Sequence, residues 1–196
     1  MALPALLQAV KAGARELLLQ QLLQQPAAAK LANCNGTTAL LLAAKLNKEE
    51  IVKEILLHGG DPNAAEVAEV GANTALHFAA RNSNEEMLSY LLAFGASPNQ
   101  QNALGQTPLH LAARVGAAAA VQQLLAAGAN PAITDQAGFD AACWAQSEMH
   151  EEVVQLLPPA KSLGSRDLAL FQLLAMDQLG MSLKLPGKKK GKASKK

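Results

Sequence analysis

Apolar and polar positions along this chain recur in blocks. The run Thr107-Pro108-Leu109-His110-Leu111-Ala112-Ala113 has near-copies in Thr74-Ala75-Leu76-His77-Phe78-Ala79-Ala80 and Thr38-Ala39-Leu40-Leu41-Leu42-Ala43-Ala44, the threonines standing 33 and 36 residues apart. A further step of 33 reaches Asp140 in Gly138-Phe139-Asp140-Ala141-Ala142-Cys143-Trp144-Ala145. Behind the first three blocks stands a second apolar run closing on glycine: Ile51 to Leu57 before Gly59, Met87 to Leu92 before Gly95, and Val121 to Leu125 before Gly128. Within each run the apolar residues fall at helical spacing, which predicts a short helix with one buried face. Thr107 can cap such a helix, Pro108 suits its first position, and Gly128 can adopt the left-handed conformation that ends it. Paired alanines let neighbouring helices approach closely. Self-similarity of this period marks an array whose units bury their apolar faces against one another. Such an array offers surface rather than a catalytic pocket.

The recurring turn, the Thr-Pro-Leu-His opening, the loop glycine and the closing Leu-Leu-x-x-Gly resemble the ankyrin repeat. The resemblance implies an all-α solenoid of stacked helix-turn-helix units with helical caps, the repeats lying at about 33–68, 69–101, 102–134 and 135–157. It also implies that His77 and His110 hydrogen-bond to the turn of an adjacent unit. The fourth unit departs from the pattern, with Asp140 for the capping threonine, Ala141 for proline, Cys143 for histidine and Met149 for the loop glycine. Asp140 can still cap. Trp144 aligns with Leu111 and Phe78, so it reads as packing between repeats, with a ligand contact as the alternative. Residues 3–32 read as an N-terminal capping helix pair. Residues 158–183 read as a C-terminal capping helix region, whose second apolar face could alternatively seat a partner, and 184–196 as a basic flexible tail. The linker from Pro62 to Thr74 is three residues longer than that from Pro98 to Thr107. An extended finger is therefore expected over 64–73, projecting from the turn side where loops often carry function.

Composition fits closely stacked helices: half the residues are hydrophobic, only 3% aromatic. A net charge of +1 conceals a cluster at Lys188, Lys189, Lys190, Lys192, Lys195 and Lys196. Cys34 and Cys143 fall in different units, which argues against a bridge and suits a reducing compartment. No apolar run approaches the roughly 18 residues a membrane span needs. Met1-Ala2-Leu3-Pro4-Ala5-Leu6-Leu7 lacks the basic start of a secretory signal. A cytoplasmic protein is expected, the alternatives being the cytoskeleton or ciliary axoneme, or the nucleus through the basic tail. Nucleophile–base spacings, phosphate-cradling glycine loops and Cys/His ligand clusters are missing from the sequence, so neither an enzyme nor a cofactor, metal or small-molecule substrate is expected. Glu148 with His150-Glu151-Glu152 reads as a solvated helix start, as do Glu49-Glu50 and Glu85-Glu86.

The ankyrin resemblance implies a concave face lined by turn tips and first helices. After the paired alanines the aligned residues are Lys11, Lys45, Arg81 and Arg114, then Gln146. With helices roughly 8–10 Å apart, four cations would form a line on the order of 30 Å long. The helix macrodipole alone favours a cation in a last turn, so the alternatives are an acidic-ligand stripe and simple dipole compensation. The next column, with Leu46, Asn82 and Val115, could supply apolar anchors. Asn73, Gln106 and Phe139 are expected at turn tips, and Phe94 near a helix end, where aromatics can act as hot spots. The implied function is a protein–protein adaptor docking an acidic or mixed segment, with the lysine tail adding attraction. The alternative is a polyanion-associated protein whose tail contacts tubulin or nucleic acid.

Overall fold

The computed structural model describes residues 2–159. The expected cap from residue 160 onward and the lysine tail lie outside the described residues. Among the described residues the α-helices are α1 (Ala2–Ala12), α2 (Arg15–Gln24), α3 (Ala39–Lys45), α4 (Glu49–Leu57), α5 (Ala75–Arg81), α6 (Glu85–Ala93), α7 (Pro108–Val115), α8 (Ala118–Ala126), α9 (Ala141–Ser147) and α10 (Glu151–Leu156). The odd-numbered helices pack against one another in one row and the even-numbered helices in a second. No helix among them is long and apolar enough to cross a membrane. Among the described residues, β pairing is limited to two isolated bridges, Ala32 with Thr38 and Ala65 with Thr74, which close turns rather than build a sheet.

From α3 onward, the first-row helices start where a side chain replaces a missing backbone partner. Thr38 Oγ1 accepts from the Leu41 N–H at 3.2 Å, and Asp140 Oδ1 from the Cys143 N–H at 2.9 Å. Thr74 and Thr107 do more, each sharing a capping box with the histidine three residues on. A left-handed residue then turns the chain from first to second helix: Asn47, Ser83, Gly116 and Met149, with φ of 55°, 53°, 74° and 59°. Gly116 suits this conformation, and a Cβ there would also meet the His150 ring. Met149 has neither advantage.

One continuous apolar core runs from Leu6 to Leu157. Leu40, Leu76 and Leu109 occupy equivalent buried places, as do Ile55, Leu91 and Leu124. Ala43, Ala44, Ala79, Ala80, Ala112 and Ala113 are all fully buried, their small side chains allowing one first-row helix to lie close on the next. At the N-terminal end, the Arg15 guanidinium pairs with the Glu54 carboxylate and ties α2 to α4.

Three of the turns are built by one repeated device. The Oδ1 of Asn33, Asn102 and Asp135 each accepts two N–H groups of its own turn at 2.9–3.0 Å. Backbone bonds then link one turn to the next: Val67 N–H to the Asn35 carbonyl, Ala103 to Gly71 and Gln136 to Leu104, at 3.1, 2.9 and 3.0 Å. The longer turn departs from the expected projecting finger. Glu66 N–H donates to the Asn73 carbonyl at 3.1 Å, as Asn102 donates to Gln106 and Asp135 to Phe139. The three extra residues therefore lie between Glu66 and Asn73, and the turn opens at 66 rather than 69. Ala68–Val70 forms a short exposed 3₁₀ turn, but Glu66 is folded inward and buried. Backbone bonds to the flanking turns hold the loop down at both sides.

Candidate partner-binding face

Lys11, Lys45, Arg81 and Arg114 all occupy last turns of first-row helices. Successive first-row helices pack on one another, so the four cations form a column on one face. Their surroundings differ. The Lys45 ammonium and the Arg81 guanidinium lie over the Phe78 ring, 5.8 and 5.2 Å from its centroid, and Arg114 lies 5.7 Å from that of Trp144. Cations at this range are attracted to the ring face. Phe78 and Trp144 are themselves buried, and the Trp144 Nε1–H donates to Asp135 Oδ2 at 3.0 Å. They pack between repeats, and they also seat the arginines.

Lys45 has an acidic partner, the buried Glu66 carboxylate at 3.6 Å. Among the described residues, no acid lies within ion-pair distance of Arg81 or Arg114. Burial lowers the pKa of the Arg114 guanidinium; Glu148 opposes the shift and the neighbouring Arg81 charge adds to it. Two like charges near each other, one of them half-buried, form a locus where an incoming carboxylate would relieve repulsion as well as gain attraction.

The adjoining column supplies the apolar component. Leu46 and Val115 are exposed by 43% and 38%, while Asn82 donates to the Ala44 carbonyl at 3.3 Å and bridges two repeats. Asn73 is half-buried and accepts from Asn102 Nδ2 at 3.0 Å. Gln106 and Phe139 are not the exposed tips they were expected to be, being only 2% and 7% accessible. Each lies just before a helix cap, where its carbonyl turns toward the preceding repeat. The Nε2–H of His77 donates to the Gln106 carbonyl at 3.0 Å, and that of His110 to the Phe139 carbonyl at 3.1 Å. Phe94 is 41% exposed but caps the far end of second-row α6. Nine residues of helix, about 13 Å of rise, separate that end from the loop next to Arg81, so Phe94 stands apart from the arginines.

Two members of the face escaped sequence reasoning, Glu66 and Phe78; Trp144 was expected to pack between repeats or contact a ligand, but not to seat Arg114. Phe78 stands three residues before Arg81 on one helix, a spacing that brings side chains together and could have been noticed. Nothing local pointed to Glu66 or to the Arg114–Trp144 contact, both of which join different repeats. Elsewhere, His150 Nε2 lies 3.0 Å from the Arg114 carbonyl and clamps two loops together. No group of three or more His, Cys, Asp or Glu side chains among the described residues could hold a metal ion.

A comparison with curated proteins gives no match. The family profile described as ankyrin repeats (3 copies) matches residues 6–102 and 91–167, most of the chain. The packed helix pairs, the threonine–histidine capping boxes and this match agree, and the chain belongs to the ankyrin-repeat family.

Proposed function

We propose that this protein is an adaptor whose first-helix face docks an acidic or mixed segment of a partner protein. Ankyrin repeats are generally protein–protein interaction modules and typically not enzymes. The observation that carries the finer reading is the pair Arg81 and Arg114. Both guanidiniums rest on aromatic rings and neither has an acid within ion-pair distance among the described residues. Seating on a ring limits the rotamer freedom lost when a carboxylate is gripped, and arginine can grip it with two parallel hydrogen bonds. Leu46 and Val115 flank the cations with exposed apolar surface.

The test is selection of a random peptide library on the full chain, with fluorescence anisotropy of the enriched peptides. Enriched sequences should be rich in Asp and Glu with interspersed apolar residues. The double variant R81E/R114E should bind at least about tenfold more weakly, since repulsion replaces attraction at two sites. E85K, at the start of a second-row helix, serves as the control and should bind normally. Normal binding by R81E/R114E, together with loss of binding when Lys188–Lys196 are deleted, would transfer the function to the tail.

A further inference from the structure

Glu66 holds the position that Asn33, Asn102 and Asp135 hold in the other turns, as the equivalent backbone bonds show. Those three side chains accept hydrogen bonds from their own turns. Glu66 pairs with Lys45 of the preceding unit instead, 3.6 Å away. Its side chain is 3% exposed and that of Lys45 50%. Three additional residues make this possible by opening the turn behind it, while the Val67 bond to Asn35 holds the loop close to Lys45.

We infer that Glu66 is a built-in occupant of the cation column, a carboxylate supplied in cis that removes Lys45 from partner recognition. The inference rests on the docking reading and narrows the chemistry of the partner. The open positions are Arg81 and Arg114, in consecutive repeats roughly 10 Å apart. A segment in the extended polyproline II conformation has three residues per turn and advances about 3.1 Å per residue, so carboxylates three residues apart share one face about 9 Å apart and match the two arginines. A third acid at the same interval reaches Lys45 and finds the site already neutralised. Lys11 is cut off from the arginines by the same pair. The partner is thus an extended segment with Asp or Glu at positions i and i+3, and a longer acidic ladder brings it no advantage.

Two fluorescein-labelled synthetic peptides in a Ser/Thr/Val background test this, one with Glu at i and i+3, the other with Glu at i, i+3 and i+6. Even spacing makes the result independent of peptide polarity. The full-length wild type should bind both within about twofold, the factor expected from two available registers. Glu66→Gln should bind the three-acid peptide about two- to fivefold more tightly than wild type does, the range one exposed ion pair supplies, and leave the two-acid peptide unchanged. Adding Lys45→Gln to that variant should erase the gain. Glu66→Asn, which installs the side chain of the other turns, should behave like Glu66→Gln and stands in for it if that variant unfolds. Unaltered binding of the three-acid peptide by both Glu66 variants, with R81E/R114E still inactive, overturns this inference and leaves the docking reading standing. Unaltered binding of both peptides by R81E/R114E overturns the docking reading itself.

Discussion

Acid should weaken the array through His77. The ring Nδ1 accepts from the Thr74 N–H at 3.2 Å and lies 2.8 Å from Thr74 Oγ1, while Nε2–H donates to the Gln106 carbonyl. A backbone N–H can only donate, so Nδ1 carries no proton and the imidazole is neutral. Burial is the main reason its pKa falls from 6.5 to about 4; the bond to Gln106 opposes the shift and the His110 charge adds to it. In the unfolded chain the ring titrates near its ordinary value of about 6.5. The contribution to stability is therefore fully present above pH ~6.5. It declines as pH drops toward ~4, because the unfolded state binds a proton that the folded state refuses. At about 1.4 kcal/mol per pH unit, the loss attributable to His77 approaches about 3 kcal/mol by pH ~4. His110 has the same bonds and a pKa lowered chiefly by burial, so its effect has the same sign. Urea unfolding followed by far-UV circular dichroism from pH ~7.5 to ~4.5, at constant ionic strength, measures the trend. His77→Gln should cost about 1–3 kcal/mol at neutral pH by disturbing buried hydrogen bonds. Its deficit relative to wild type should shrink steadily below pH ~6.5, with the carboxylates cancelling in the difference. A deficit that stays constant over that range would refute the reasoning.

Three other perturbations test separate parts of the structure. Leu124→Ala, at a fully buried site on α8, should lower stability by about 2–5 kcal/mol, and hydrogen exchange should show the loss spreading to neighbouring repeats; a cost under about 1 kcal/mol would contradict the packing. Met149→Gly should raise stability by up to about 1 kcal/mol in the same unfolding assay, because a left-handed side chain costs about 1–2 kcal/mol and glycine's entropy returns part of that; Met149 is 83% exposed and at φ 59°, so little packing is lost. Thiol labelling followed by mass spectrometry should modify Cys34 in the native protein and Cys143 only on unfolding, since Cys143 is buried and desolvation pushes its thiol up to about 12.

The helical array was legible in the amino-acid order because its causes are local. Threonine caps, apolar spacing and paired alanines act within a few residues of one another, and repetition multiplied the signal until the family resemblance was specific. The column of Lys11, Lys45, Arg81 and Arg114 was legible for the same reason, since one register places them all in last turns. What each cation meets was decided by tertiary structure. Arg114 reaches a tryptophan 30 residues ahead and Lys45 a glutamate 21 residues ahead, distances over which spacing carries no direction. Gln106 and Phe139 looked like turn tips, yet their carbonyls had to face inward once histidines of the preceding repeat required acceptors. Counting also located the three additional residues without revealing which side chain they would release. Only the bonds between turns set Glu66 opposite Lys45, because a loop's direction depends on the neighbours that satisfy its backbone, and those neighbours belong to other repeats.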